Sequence, residues 1–343
     1  MNTGITPLRS SLRRKARGIL RAALRFTVTR RLVNAIYPAL SGSAHQAIHR
    51  RTRDLFRDRT AGIPNGTWTI NFAGNHIALP LRESASWLDW DQAVSVLGHE
   101  VPIKETYESL LNQSVKPDLF VDIGANYGTH SLLFLVSGVP VITFEPNAAC
   151  HDYFRAACAL NGVSPSIEPV ALGSQTGEAE LVYPPQDTWF GSVNTEVGKR
   201  LMRDGSVETR TVPLRRLDEY LPRMAGKKVF MKIDVEGNEL AILQGAEALL
   251  ESVRPVIVFE AWRGENRAKI ASLFDRKDYG IASLPLRAGL PPALKSPEAF
   301  TDATEDDFVA IPGELLRSSA RTDGATLFAV PLGNFAERST SVN

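Results

Sequence analysis

The 343-residue chain sets 39 Lys and Arg against 38 Asp and Glu, a formal net charge of +1, and 43% of its residues are apolar. These values are ordinary for a soluble globular protein with one large or two smaller domains, and they give no reason to expect a nucleic-acid partner. The two cysteines, Cys150 and Cys158, fall in one predicted helix about 12 Å apart by helical rise. That is too far for a disulfide within the helix, so both read as buried thiols of a reducing compartment.

The charge is unevenly placed. Residues 1–60 hold fourteen Arg or Lys and only Asp54 and Asp58, giving this arm +12 and the remainder −11. Arg9, Arg13, Arg17, Arg21 and Arg25 recur every four residues beside an apolar stripe from Leu8 to Phe26, the pattern of a basic amphipathic helix. Three readings stand: a peripheral contact with an anionic membrane surface, a helix docked on the domain with solvated arginines, and an Arg-rich presequence. No apolar run is long enough to span a bilayer and no secretory signal is evident, so the expected location is cytoplasmic, with the inner face of the membrane as the possible contact. Residues 1–64 are assigned to this arm, 65–118 to an extension of the catalytic domain, and 119–343 to the domain itself with its tail.

Past the arm, Trp68–Phe72 and His76–Leu81 alternate apolar and polar around Gly74-Asn75, which predicts a hairpin. A helix over 103–112 stops at Lys116-Pro117-Asp118. Strand 119–123, helix 129–136, strand 139–144, helix 147–160 and strand 166–172 then alternate, implying a parallel sheet with right-handed crossovers. An irregular stretch includes strand-like Glu178–Tyr183 and Glu208–Pro213. Alternation resumes with strand 228–233, helix 238–250, strand 255–259, helix 265–274 and strand 279–284. Phe308–Ile311 and Leu327–Val330 are further strand candidates, and no repeat or low-complexity tract occurs.

The most informative segment is Phe120-Val121-Asp122-Ile123-Gly124-Ala125-Asn126-Tyr127-Gly128, followed by Val141-Ile142-Thr143-Phe144-Glu145-Pro146. Each half is a buried strand ending in a loop, and in a parallel sheet both loops line one crevice beyond the carboxyl ends of the strands. An acid about twenty residues past the first glycine suits a ribose diol, as in nicotinamide-dinucleotide sites. The spacing Gly124-x-x-x-Gly128 lacks the second glycine of a pyrophosphate cradle, however, and Asp122 favours a ligand bearing cations. The combination points to S-adenosylmethionine, which has an ammonium and a sulfonium.

Together with Val229-Phe230-Met231-Lys232-Ile233-Asp234-Val235-Glu236-Gly237-Asn238-Glu239, these motifs resemble the FkbM family of S-adenosylmethionine-dependent methyltransferases. The resemblance runs in order from about Tyr107 to Trp262 and takes in Ala171-Leu172-Gly173, Val212-Pro213-Leu214, Leu217-Asp218, Leu243-x-Gly245-Ala246 and Val258-Phe259-Glu260. It implies an α/β, Rossmann-like methyltransferase fold: a mostly parallel seven-stranded sheet with a late antiparallel strand and helices on both faces. It also implies O-methylation of a hydroxyl on a sugar or secondary metabolite. By motif, Asp122, Gly124, Asn126 and Gly128 would hold the methionine end, with Ala125 in the same loop; Glu145, followed by Pro146, would take the ribose, and Ala171 and Leu172 would border the adenine. Thr129-His130 departs from the family's usual residues, and the arm matches no motif.

Methyl transfer to a hydroxyl needs a base for the departing proton. Asp234, just past a strand, is the first candidate, with helix capping or a contact to the cofactor amino group as its competing role. Glu236 and Glu260 are expected at the same rim, where they act as hydrogen-bond acceptors or caps more readily than as ligands of a divalent cation, so no metal is assigned. Lys232, two residues before Asp234, points to the same side of the strand and weakens that carboxylate as a base. His130 is the imidazole most worth testing, followed by His99, and Trp189-Phe190-Gly191-Ser192-Val193-Asn194 suits stacking on a sugar face, with an ordinary packed loop as the competing reading. The expected partner is a hydroxylated acceptor, a carbohydrate or glycolipid. Competing functions are methylation of a small metabolite, a nicotinamide-dependent oxidoreductase, and a cofactor-binding scaffold without turnover.

Overall fold

The computed structural model describes residues 66–81, 100–185 and 188–319, together with helix α1 (Thr27–Ile36) and scattered positions around it. His99, the strand expected at Leu327–Val330 and most of the predicted arm helix lie outside the described residues. Strands β1 (Gly66–Phe72) and β2 (Asn75–Leu81) pair as the expected hairpin. Ala73 and Gly74 between them both have positive φ, as a two-residue type I′ turn requires.

Helix α2 (Val101–Leu111) precedes β3 (Leu119–Ile123), α3 (Thr129–Val136), β4 (Val141–Phe144), α4 (Ala148–Leu160) and β5 (Ile167–Glu168). Later come β9 (Val229–Ile233), α7 (Glu239–Gln244), α8 (Glu247–Ser252), β10 (Val256–Glu260), α9 (Glu265–Arg276), β11 (Tyr279–Ser283) and β12 (Asp307–Pro312). The seven-stranded sheet has the order β11-β12-β10-β9-β3-β4-β5, and β12 alone runs antiparallel to its neighbours. The mostly parallel sheet with a late antiparallel strand is therefore present as expected.

Strand residues are buried on both faces, which explains why β3, β9 and β10 read as nearly unbroken apolar runs. Alternate side chains go to opposite layers. Phe120, Phe230, Val256 and Val258 join the hairpin, α2, α3 and α4, while Val121, Ile123, Met231, Ile233, Ile257 and Phe259 join α7, α8 and α9. Asp122 and Lys232 are register partners and share the first face with Phe120 and Phe230. Asn161, the C-cap of α4, accepts from Ala78 N at 2.8 Å and donates to Ala78 O at 2.7 Å, fastening the hairpin to that layer.

Two expected elements divide. The strand at 166–172 breaks at Pro169, which has no N–H to continue the ladder with β4. Ile167 and Glu168 stay in the main sheet, whereas β6 (Ala171–Leu172) joins β7 (Gly177–Tyr183) and β8 (Glu208–Arg215) in a second sheet. The helix expected over 238–250 becomes α7 and α8, because at Gly245 the chain passes so close to the Gly173 carbonyl that a Cβ would overlap it. Among the described residues, α5 (Thr195–Asp204), α6 (Leu221–Met224), α10 (Pro297–Thr301) and α11 (Gly313–Ser319) complete the helices. Cys150 and Cys158 are both buried free thiols on α4.

Candidate active site

Parallel β3, β4, β9 and β10 end at one rim, which gathers residues more than a hundred positions apart. Gly124 N and Ala125 N donate to Phe144 O at 3.0 and 3.2 Å, tying the loop after β3 to the end of β4. Asp234 N donates to Ile123 O at 3.1 Å and ties in β9. Gly124 and Gly128 have φ of +80° and +68°, and a Cβ at either would collide: at Gly124 with the Asp234 carbonyl, at Gly128 with the Phe154 ring. These glycines thus answer first to the protein's own packing, where the sequence suggested only room for a ligand.

Glu145 is buried at the tip of β4. Its Oε2 accepts from Asn126 N at 2.6 Å and its Oε1 from Asn147 N at 2.7 Å, so the carboxylate clasps the glycine loop and the start of α4 together. Burial raises its pKa to about 7. Pro146 is half-buried behind it, and Ala125 is buried within the loop. Asp122 is fully enclosed; its Oδ2 accepts from Ser131 N at 3.0 Å and Ser131 Oγ at 2.6 Å. Asp122 Oδ1 and Asn147 Nδ2 are buried polar atoms with no hydrogen-bond partner in the protein. A cofactor carrying cations and a ribose fits this donor set, whereas a pyrophosphate would meet carboxylates where it needs N–H groups.

The turn after β9 is fixed from four sides. Glu239 Oε1 accepts from Val235 N and Gly237 N at 3.2 and 3.1 Å. Ser192 Oγ donates to Glu236 O, and Asn194 Nδ2 to Gly237 O, each at 2.8 Å. Asn238 Nδ2 donates to Leu172 O at 3.0 Å, which places buried Ala171 and Leu172 beside this turn. Glu236 is held at φ 55°, an uncommon conformation for a residue with a Cβ. Such bracing pre-sets side chains for chemistry.

Carboxylate oxygens of Asp234, Glu236 and Glu260 all lie within 4.8 Å of one another. Burial first, and then the neighbouring acids, push Glu236 up to about 8 and Glu260 well above the usual carboxylate range. Asp234 differs from both: its Oδ2 accepts from Lys232 Nζ at 2.6 Å. Lys232 is itself buried, and Asp234 and Glu100 hold its pKa well above normal against the desolvation that opposes them.

His130 lies in the first turn of α3 and faces inward. Its Nε2 sits 2.8 Å from Glu100 Oε2 and its Nδ1 3.0 Å from Tyr107 OH. Burial lowers its pKa to about 4. It is therefore a neutral ring between a carboxylate and a phenol, and Glu100 and Lys232 link it to Asp234. The sequence left Glu100 and Tyr107 unmarked, and the Val101-Pro102 pair after Glu100 signals nothing beyond a helix start. Of the aromatic stretch, Thr188–Phe190 forms a 3₁₀ turn whose Thr188 Oγ1 donates to Tyr127 OH at 2.9 Å.

The raised carboxylates set a pH dependence. A folded-state pKa above the unfolded value means the folded chain binds the extra proton, so stability is lost as pH climbs from the unfolded value towards the folded one. Glu145 and Glu239, each raised to about 7, and Glu236, raised to about 8, make this contribution. His130 opposes it only below about 6.5, the ordinary value for a histidine. The free protein should therefore lose stability, on the order of a few kcal/mol, between pH 6.5 and 8. Urea unfolding across that range checks the sign.

A doubly wound sheet with β12 reversed between β10 and β11, and with acids gathered at the ends of β4, β9 and β10, is the Rossmann-like fold of methyltransferases. Residues 122–279, a little under half of the chain, match the methyltransferase FkbM domain. Methyltransferase sdnD of Sordaria araneosa is 29% identical over 191 residues, covering 47% of this chain and 73% of that protein. Hexuronic acid methyltransferase AglP of Haloferax volcanii is 27% identical over 149 residues, covering 43% of this chain and 58% of that one. Among solved structures, methyltransferase FkbM of Methylobacillus flagellatus KT aligns over 64% of this chain and 53% of its own at 16% identity and a TM-score of 0.35. The chain thus spans little more than half of AglP and of the M. flagellatus protein.

Proposed function

We propose that the protein is an S-adenosylmethionine-dependent O-methyltransferase whose acceptor is a hydroxyl of a saccharide in a surface glycan or glycolipid. The observation that carries this is the pairing of two acidic groups across one rim: Asp122 and Glu145 around the glycine loop, and Asp234, Glu236 and Glu260 on the braced turns beyond it. The first pair suits a cationic, ribose-bearing cofactor, and the second set suits a hydroxyl that must lose a proton. S-adenosylmethionine supplies an electrophilic methyl on positive sulfur. Asp122, Gly124, Ala125, Asn126 and Gly128 would hold its methionine end, Glu145 with Pro146 its ribose, and Ala171 and Leu172 its adenine. Asp234 takes the acceptor proton, and Glu236 and Glu260 orient the hydroxyl. The hexuronic acid named for AglP supports a saccharide acceptor.

The test is transfer of an isotopically labelled methyl from S-adenosylmethionine to fractionated glycans, lipids and small molecules. Label in a glycan fraction supports the reading, and label only in a small metabolite replaces the acceptor. Binding of NAD without binding of S-adenosylmethionine, read by calorimetry, would sink the cofactor assignment.

We also propose that residues 1–64 form a separate arm that contacts the anionic inner face of a membrane, while 65–118 extend the domain at 119–343. On α1, Val28, Leu32 and Ile36 share one helix face and are 78%, 60% and 52% exposed, within an arm of charge +12. No helix among the described residues is long and apolar enough to cross a membrane. Leu32→Glu should abolish sedimentation with vesicles containing phosphatidylserine, and equal sedimentation with neutral vesicles would refute charge-driven docking.

A further inference from the structure

Behind the carboxylate rim lies a chain of ionisable side chains that the methyl-transfer reading leaves unused. Lys232 Nζ is 2.6 Å from Asp234 Oδ2 and 3.8 Å from Glu100 Oε1. The other oxygen of Glu100 is 2.8 Å from His130 Nε2 and 3.7 Å from Lys104 Nζ. Tyr107 OH closes the chain on His130 Nδ1 at 3.0 Å, and its ring packs edge-on against Phe120, Phe134 and Phe230. One carboxylate thus joins side chains from α2, α3 and β9, and through Lys232 it reaches the rim.

Nothing in the fold alone calls for this arrangement. Lys104 and Lys232 are buried beside His130, itself edge-on to the Tyr107 ring, and burying two charges often costs more than apolar packing in the same volume. The backbone is also held in an unfavourable state: Glu100 sits at φ 48° and ψ 45°, left-handed for a residue with a Cβ, where it begins α2. Strain and buried charge kept together by mutual contacts mark a place where geometry matters. The ring's neutrality fits a fixed spacer, with Nε2–H donating to Glu100 and Nδ1 accepting from Tyr107.

We propose that Glu100 is a positioning residue for methyl transfer, anchoring the Lys232 ammonium from behind so that Lys232 holds Asp234 in one orientation at the rim. The inference rests on the reading of Asp234 as the proton acceptor. Without Glu100, Asp234 is the single carboxylate in ion-pair contact with Lys232 among the described residues, and Asp122, its register partner on β3, acts on it only from farther off. His130 and Tyr107 hold Glu100 from the other side, and Lys104 shares its charge.

Glu100→Gln keeps an oxygen that can accept from His130 but removes the anchor charge. The variant should lose at least about tenfold in kcat, while the Kd for S-adenosylmethionine and the KM for the acceptor stay within about threefold. Glu100→Asp, which keeps the charge, should recover part of that loss. In a Lys232→Met background, Glu100→Gln should add almost nothing, because its effect is transmitted through the ammonium; a merely structural Glu100 would cost the same in both backgrounds. Should Glu100→Gln fail to fold, His130→Gln, which frees the far side of the carboxylate, carries the same expectation. Full kcat in either variant, or equal losses with and without Lys232, overturns the proposal. Undiminished turnover in Asp234→Asn removes the base reading beneath it, whereas a dead Asp234→Asn beside a fully active Glu100→Gln removes only the role of Glu100.

Discussion

Asp234→Asn should bind S-adenosylmethionine as tightly as the parent chain and transfer methyl groups about 10² to 10⁴ times more slowly. The expectation follows from how the three rim carboxylates differ. Burial and mutual repulsion hold Glu236 and Glu260 towards their protonated forms near neutral pH, and a protonated acid cannot accept the acceptor's proton. Asp234 has an ammonium at 2.6 Å that offsets its charge. An asparagine there can still accept from Lys232 through its amide oxygen, so the buried lysine keeps a partner and the braced turn need not move. What is lost is the negative charge that takes a proton. Glu236→Gln and Glu260→Gln, which alter groups that only orient the hydroxyl, should cost about tenfold or less. Single-turnover transfer of labelled methyl, set beside calorimetric cofactor affinity, separates these outcomes. Wild-type turnover in Asp234→Asn would move the base to another residue.

The ends of the main strands were legible because each strand is a short apolar run closed by a turn residue, and that signal is local. Helix 129–136 and strand 119–123 were placed to the residue for this reason. The reversed β12 came from the family resemblance together with the Phe308–Ile311 run. What escaped depended on contacts distant in sequence. Two strands of the second sheet, over Glu178–Tyr183 and Glu208–Pro213, are legible, but the transfer of Ala171–Leu172 to them is not, because Pro169 separates two dipeptides that individually have no periodicity. Helix α5 carries little sequence signal although Asn194 caps it by accepting from Glu196 N and Val197 N, because much of its surface is polar. Fully buried Arg267, which donates to Ala261 O at 2.6 and 2.8 Å and so fixes the chain just beyond Glu260, reads in the sequence as one more exposed arginine of a helix.

The candidate site divides along the same line. Asp122 lies one residue inside the end of β3, Glu145 and Asp234 directly follow β4 and β9, and such strand ends are visible in the sequence. Their partners are not: Ser131 beneath Asp122, Ser192 and Asn194 beneath the acid turn, and Glu100 behind Lys232 are brought in by tertiary packing. The Lys232–Asp234 contact lay between these cases. The two-residue strand period put both side chains on one face, and the structure adds the distance and the burial that make the pair strong.

Gly124→Ala should be among the most damaging substitutions in the chain, and Gly138→Ala supplies its control. Both glycines have φ +80°, so an alanine at either meets the same backbone penalty, about 1 to 2 kcal/mol. At Gly138 nothing lies within 4 Å of the added methyl, and the loss should stop there. At Gly124 the methyl would overlap the carbonyl of Asp234, which is backbone and cannot rotate aside. Either the loop after β3 lifts off, giving up the Gly124 and Ala125 bonds to Phe144 O, or the end of β9 shifts and takes Asp234 with it. The total cost should exceed about 4 kcal/mol. Urea unfolding of the two variants isolates the collision, since the torsional penalty cancels in the comparison. Equal midpoints would mean that the loop and the acid turn are not in contact in solution. If Gly124→Ala remains folded, its methyl-transfer rate should still fall, because the displaced element carries one half of the site.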